Sequence, residues 1–433
     1  MKRELMEGLI RWKNSSRRKP LLLRGVRQCG KTYLLKAFSK NEYENMVYLN
    51  FEQNPDYASL FDKDFHTERI ITEMGILLGT RIQREKTLII LDEIQACPKA
   101  ITALKYFCEE APEYHVASAG SLIGISISKP NSYPVGKVDV KTLYPMSFKE
   151  FLMASGEDDL IKYIQNTTLH EISQVIHSRL FQYYDYYRIT GGMPEVVKNW
   201  VQEKNIQQVE ESLQNLLNLY QLDFSKYAPA KDFQKISQVW EAIPYQLAKE
   251  NQRFIFGQVK EGARAKDLED ALNWLINAGM VYRIPKIEKP YIPLSAYEKQ
   301  NLFKIYCCDT GLLRKLAKVD AGLILKDNSQ YTEFKGALTE NYVLQQLIQM
   351  GVDKPCYWSS GNKAEVDFVM QLKGMPTPIE VKSGKTIRSK SLLSYIEKYK
   401  PEKAYRFSSS LRDSGERITD IPLPLVWTIL SEK

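Results

Sequence analysis

No run of about 18 apolar residues occurs anywhere in this 433-residue chain, so no segment reads as a membrane-spanning helix. The first residues, MKRELMEGLIRWK, carry Glu4 and Glu7 and lack a long apolar stretch, so they do not read as a signal peptide. Cysteine is sparse. Cys29, Cys97, Cys108, Cys307, Cys308 and Cys356 have neither metal-ligand spacing nor the pattern of a disulfide framework. Scattered thiols in a chain this long imply a reducing environment, and a cytoplasmic location is expected. Internal repeats and low-complexity tracts are missing too. What is present is ordinary: the 44% hydrophobic content lets each unit bury a core. The net charge of +8 permits an acidic partner such as nucleic acid without demanding one. At about 150 residues per domain the length suggests roughly three domains.

The first third alternates short apolar runs with helical patterns. Strands are expected at PLLLRG (20–25), MVYLNFE (46–52), TLIILDE (87–93) and HVASAG (115–120), with a helix from Lys31. Strands alternating with helices imply an α/β fold, a parallel sheet wound with helices. Continuous apolar runs fit strands buried on both faces. After about residue 140 the strand signals stop, and Ser147 to about Glu250 reads as mostly helical, interrupted at Gly191-Gly192-Met193-Pro194. The stretch around Pro285, Pro290 and Pro293 reads as a domain boundary. The expected division is 1–200, 201–290 and 291–433.

Gly25-Val26-Arg27-Gln28-Cys29-Gly30-Lys31-Thr32 matches G-x-x-x-x-G-K-[ST], between an expected strand and an expected helix. Glycines let the backbone curl so that its N–H groups face phosphate oxygens. Lys31 carries charge to the β- and γ-phosphates, the Thr32 hydroxyl can ligate Mg²⁺, and the helix N-terminus faces the same anion. Gly25, Arg27, Gln28, Cys29, Gly30, Lys31 and Thr32 are therefore the candidate ATP-binding residues. The apolar run LIIL ends in Asp92 and Glu93, as a buried strand does when it delivers carboxylates to its C-terminal edge. Asp92 is the candidate Mg²⁺ holder and Glu93 the candidate general base. HVASAG ends near Ser118 and Ser121, and a polar side chain there is either a sensor of the γ-phosphate or a plain loop serine. No arginine finger stands out; Arg188 is a guess.

GVRQCGKT, LIILDE, YPVGKVDVKTLYPMSFKEFL (133–152) and GGMPEVV (191–197) together resemble a family of prokaryotic AAA-type ATPases with an uncharacterised C-terminal domain. IPYQLAKEN (243–251), FKIYCCDTGLL (303–313) and EVDFVM…PIEVK (365–382) fit as well. The resemblance implies an ATPase core, a winged-helix-like middle and a C-terminal α/β region similar to the PD-(D/E)XK nuclease fold. It also makes a homo-oligomeric ring conceivable. Ala119 departs from the family, which often has Thr before Gly-Ser, and this weakens a sensor role for that strand.

Residues 233–285 have the size and order of a winged helix, with Arg253, Lys260, Arg264, Lys266 and Arg283 giving basic character. Glu261, Asp267, Glu269 and Asp270 dilute it, and a simple packing module explains the segment equally. In AEVDFVM, Glu365 and Asp367 share one strand face; in PIEVK, Glu380 and Lys382 do. Turn residues between them suggest a hairpin. Paired carboxylates repel unless a cation intervenes, so Asp367 and Glu380 suit a second Mg²⁺ or Mn²⁺, with Lys382 able to orient water against a phosphodiester. Glu340 interrupts an apolar helical stripe and is the candidate third ligand. The same acids also fit an ordinary charged strand face or an inactive scaffold. From Lys382 to Arg412 nine Lys or Arg face only Glu397 and Glu402, so this stretch either tracks a DNA or RNA backbone or is a solvated helix face. The leading expectation is an ATPase whose nucleotide state controls a nucleic-acid-directed C-terminal domain. The alternatives are a nucleotide-dependent switch with an inactive C-terminal domain and a signalling ATPase indifferent to nucleic acid.

Overall fold

The computed structural model describes residues 1–121, 134–249, 252–326, 332–351, 354–361, 364–384, 389–410, 415 and 417–430. The chain divides into two compact units. One comprises Lys2–Tyr144 with Asn277–Gly279, and the other Pro145–Ile276 with Met280–Lys433. The break between the two units falls at residues 144/145.

Among the described residues of the first unit, five strands form one parallel sheet. They are β1 (Leu21–Arg24), β2 (Asn45–Asn50), β3 (Thr87–Asp92), β4 (His115–Gly120) and β5 (Asp139–Thr142), in the order β2-β3-β4-β1-β5. β3 and β4 are buried along their whole length, as continuous apolar runs demand. The helix Pro98–Glu110 opens with proline at its first turn and buries Ala100, Ile101, Ala103, Leu104 and Phe107, one face of a 3.6-residue period. Those side chains join Val47, Leu49, Ile89 and Leu91 in the core. Each buried aliphatic side chain contributes roughly 1.5–3 kcal/mol. The four expected strands are present. β5 is an addition: it is short, polar and pairs only at the sheet edge beside β1, so no apolar run announces it.

The second unit holds a mixed sheet of seven strands among the described residues. These are β6 (Val281–Ile287), β7 (Glu298–Cys307), β8 (Cys356–Ser359), β9 (Glu365–Leu372), β10 (Met375–Val381), β11 (Tyr405–Ser408) and β12 (Thr419–Pro422). Their order is β12-β11-β10-β9-β8-β6-β7. β9 and β10 form the expected antiparallel hairpin, turned by Lys373 (φ 47°) and Gly374 (φ 84°), the left-handed pair of a tight two-residue turn. The sequence expectation fails at Pro285. β6 runs through it and pairs antiparallel with β7 and parallel with β8, while Pro290 and Pro293 lie in the connection from β6 to β7. Pro285 is tolerated because the pairing shifts register there. β6 consequently does not close a separate module of residues 233–285.

Two glycine-rich motifs have a packing explanation. A Cβ on Gly192 would lie 2.1 Å from the Met146 carbonyl oxygen, and one on Gly311 would lie 2.4 Å from the Thr190 carbonyl oxygen. Across this close approach the buried Asp309 carboxylate accepts from the Gly192 N–H at 2.6 Å and from the Leu312 N–H at 3.0 Å. Gln345 donates to Asp309 at 3.2 Å and to the Tyr187 hydroxyl at 2.9 Å. GGMP and CDTGLL are thus two halves of one staple. Gln345 belongs to the helix Thr332–Gln349, whose Ala337, Leu338, Asn341, Val343, Leu344 and Gln346 are all buried, so this helix is enclosed on more than one face.

Candidate nucleotide site and a second acidic cluster

β1 delivers the loop 25–30. A Cβ on Gly25 would lie 2.1 Å from the Leu143 carbonyl oxygen, so only glycine permits this approach. Gln28 (φ 66°) and Gly30 (φ 93°) are left-handed, the turns a loop needs to curl around an anion. Gly30 caps the helix Lys31–Glu42. Arg27 is half-buried and Gln28 exposed. Cys29 turns its side chain into the interior of the loop. Its thiol is buried and donates to the Leu143 carbonyl at 3.4 Å, its N–H donates to Val26, and its carbonyl accepts from Arg3 at 2.8 Å. Cys29 shapes the loop from inside. Arg3 also donates to the Tyr144 carbonyl at 2.6 Å, which ties the loop to the chain beyond β5.

Lys31, only 7% exposed, donates from Nζ to the carbonyls of Gly25 (2.9 Å) and Val26 (3.0 Å), which holds its charge over the loop. The Thr32 hydroxyl donates to Asp92 Oδ2 at 2.8 Å. Asp92 ends β3 at 2% exposure, and its Oδ1 accepts the Glu93 N–H at 3.1 Å. Glu93 is left-handed (φ 49°), and its carboxylate accepts from Gln95 Nε2 at 2.6 Å. β4 lies between β1 and β3, so Ser121, one residue past β4, follows the strand that separates Lys31 from Asp92. Its hydroxyl is buried and has no hydrogen-bond partner among the described residues. Ser118 instead donates to the Leu21 carbonyl at 2.8 Å and serves the sheet. Sequence reasoning missed Tyr48, whose hydroxyl donates to Asp92 Oδ2 at 2.8 Å. The only signal for it was position: β2 neighbours β3, and Tyr48 shares a face with Asn50, which aligns with Asp92.

Arg188 lies in the second unit, buried, paired with Asp185 and held 4.8 Å from the Tyr184 ring centre. That burial removes it as an arginine finger. In the same unit β7, β9, β10 and the helix Thr332–Gln349 bring Glu340, Glu365, Asp367, Glu380 and Lys382 into one cluster. At its centre stands a residue the sequence reading did not single out. Lys304, 1% exposed, lies 2.6 Å from Glu365 and 3.8 Å from Glu340 and donates to Gln252 Oε1 at 3.0 Å. Burial opposes its charge, yet Glu340, Glu365 and Asp367 raise its pKa above the ordinary lysine value. Glu340 Oε2 accepts from Tyr306 at 3.0 Å and Oε1 from Gln252 at 2.9 Å. The partners of buried Glu340 are thus protein groups, where a shared metal was expected.

Asp367 accepts the Val381 N–H at 2.7 Å. Burial, then the neighbouring Glu340 and Glu380, push its carboxyl well above the usual range. Glu380 is raised by burial against the pull of Lys382, which lies 2.5 Å from its Oε1. Glu380 Oε2 is buried with no hydrogen-bond partner among the described residues. No group of three His, Cys, Asp or Glu side chains among the described residues forms a metal-sized cage. Of the basic stretch 382–412, Arg406 is spent on Asp420 at 2.6 Å, and Lys385, Arg388 and Arg412 lie outside the described residues.

Residues 17–152 match a family model described as an AAA domain. The first unit carries an AAA-type P-loop domain. Gly25 to Thr32, Tyr48, Asp92, Glu93 and Ser121 all fall inside that match. Residues 181–322 and 335–426 match two domains of unknown function, DUF8612 and DUF4143. The acidic cluster draws on both, Lys304 from the former and Glu340, Asp367, Glu380 and Lys382 from the latter. An uncharacterized protein of Mycobacterium tuberculosis, Rv2008c, is 38% identical over 84 residues, 19% of this chain. The chain spans 18% of the length of that relative. Among solved structures, the Walker-type ATPase PABY2304 of Pyrococcus abyssi is 13% identical, covering 73% of this chain and 95% of that one, with a TM-score of 0.46. The Aeropyrum pernix ORC1 protein in complex with DNA is 11% identical, covering 74% and 92%, with a TM-score of 0.28. No described helix is long and apolar enough to cross a membrane.

Proposed function

We propose that this protein is a Mg²⁺-dependent ATPase whose nucleotide state governs a second, nucleic-acid-directed unit. The observation that carries the first part is the Thr32–Asp92 hydrogen bond at 2.8 Å, which joins the loop-bearing helix to the acid-bearing strand. Thr32 and Asp92 would hold Mg²⁺, which when bound neutralises phosphate charge. The residues fit it: two oxygen donors converge, and the unpartnered Ser121 hydroxyl follows the intervening strand. The chain's own groups supply the rest. Loop N–H groups and Lys31 bind and orient the phosphates, and Glu93 accepts a proton from the attacking water. Phosphate release by the wild type and by Lys31→Ala tests this. The variant is expected to lose about 10²-fold or more in turnover, since it removes a charged donor aimed at the transferring group. Equal rates would remove Lys31 from the site.

For the second unit the same reading holds that Asp367 and Glu380 take a divalent cation beside Lys382 and act on a phosphodiester. The support is the unpartnered Glu380 oxygen and a cluster of four acids against two lysines. A second reading, an inactive scaffold, is favoured by Lys304, which occupies the cluster as its internal cation. Asp367→Asn separates them. An acid raised on folding favours the folded state fully below its unfolded pKa, and loses that contribution as pH rises through the folded pKa. Removing the charge is therefore expected to raise the melting temperature by a few degrees at neutral pH. The Asn oxygen still accepts the Val381 N–H. On the metal reading the wild type binds Mn²⁺ at this cluster and the variant does not, as read by Mn²⁺ electron paramagnetic resonance with Asp92→Asn removing the nucleotide-site signal. No Mn²⁺ bound by either leaves the scaffold reading.

A further inference from the structure

Tyr48 lies outside every motif of the sequence, yet it makes the second O–H contact to the Asp92 oxygen that Thr32 also uses. Both hydroxyls donate to Oδ2 at 2.8 Å, and the Glu93 N–H donates to Oδ1 at 3.1 Å. A carboxylate held by three donors on two oxygens has no freedom to rotate. Tyr48 is itself held. Asn50 donates to its hydroxyl at 3.3 Å, and the Lys36 ammonium lies 3.7 Å from its ring centre. Lys36 and Thr32 share the helix that follows the phosphate loop, so Tyr48 braces that helix against β3 from the neighbouring strand.

We propose that Tyr48 is a positioning residue of the nucleotide site: it fixes the Asp92 carboxylate for the divalent cation, without itself touching nucleotide. This rests on the reading of Asp92 and Thr32 as the Mg²⁺-holding pair. Without the phenol O–H, Thr32 is the one hydroxyl left to orient Asp92 Oδ2, and the carboxylate is held less firmly for the cation. The cost falls on metal use and spares phosphate capture, which belongs to the loop and Lys31.

Tyr48→Phe keeps the ring under Lys36 and removes only the hydroxyl. Mg²⁺ is titrated at fixed ATP with phosphate release as the readout, and a fluorescent ATP analogue is bound in EDTA as the metal-free control. The Mg²⁺ midpoint is expected to rise about tenfold, the effect of removing a group that orients a metal-binding side chain, with metal-free affinity unchanged within about twofold. An unchanged midpoint in Tyr48→Phe overturns the proposal, as does a parallel loss of metal-free affinity, the mark of a merely structural role. A wild type that neither binds nor hydrolyses ATP overturns the underlying reading as well, and is told apart from the other outcomes by the wild-type control alone.

Discussion

Glu93→Gln is expected to cut ATP turnover by about 10²–10⁴-fold, the range spanned by positioned general bases, while nucleotide affinity stays within about threefold. The variant keeps the shape of the side chain and its oxygen facing Gln95, which donates to the Glu93 carboxylate at 2.6 Å. It removes only the basicity. The backbone of Glu93 is left-handed at φ 49°, and its N–H is committed to Asp92, so the residue's position is set by the end of β3 and not by its own charge. Strain of this kind, of order 1–3 kcal/mol, concentrates where a side chain must be aimed. Single-turnover phosphate release beside equilibrium binding makes the measurement. A drop in binding that matches the drop in rate would move Glu93 from chemistry to structure.

Gly192→Ala is expected to destabilise the second unit by about 3 kcal/mol or more, a fall in melting temperature of roughly 10 °C. The new methyl would lie 2.1 Å from the Met146 carbonyl oxygen and 2.8 Å from its nitrogen, both backbone atoms. Neither can step aside without breaking the Met146 N–H bond to the Gly192 carbonyl or the Gly192 N–H bond to Asp309. Gly336→Ala is the contrasting control. That glycine lies inside the helix Thr332–Gln349 with no described atom beyond the helix's own backbone within 4 Å of the new carbon, so a gain of about 0.5–1 kcal/mol is expected. Thermal unfolding of both variants reads the difference directly.

The two halves of the molecule differ in how openly their sequences declare them. In the P-loop domain the chemistry and the fold use the same short segments. The run LIIL is apolar because β3 is covered on both faces, and it ends in Asp92 because the sheet edge is where ligands bind. Periodicity and motif therefore point to one answer. β5 escaped because an edge strand needs no apolar run, and Tyr48 because its role depends on which strand neighbours β3. In the second unit the β9–β10 hairpin was legible from its turn and alternation. Lys304 was not. It sits on β7, some sixty residues before β9, and a lysine in a strand announces a surface until the fold buries it against Glu365 and Glu340. The glycines of GGMP pointed to a break in the helical segment, and only the close approach of Met146 gives the reason.

The place of β6 between β7 and β8 has a consequence for how the protein is made. β7 follows β6 closely and can pair with it soon after both emerge from the ribosome, but the parallel partner of Lys286 is Tyr357. Until that residue is synthesised, one side of β6 has no strand to bond, and its N–H and C=O groups stand open on a growing chain. Long-range parallel pairing of this kind is slow and leaves strand edges available to wrong partners. The helical segments made before β6 cannot supply the missing ladder, since it is completed only by strands that come last. The second unit must therefore be finished before it can be stable, and its folding waits on its C-terminal third.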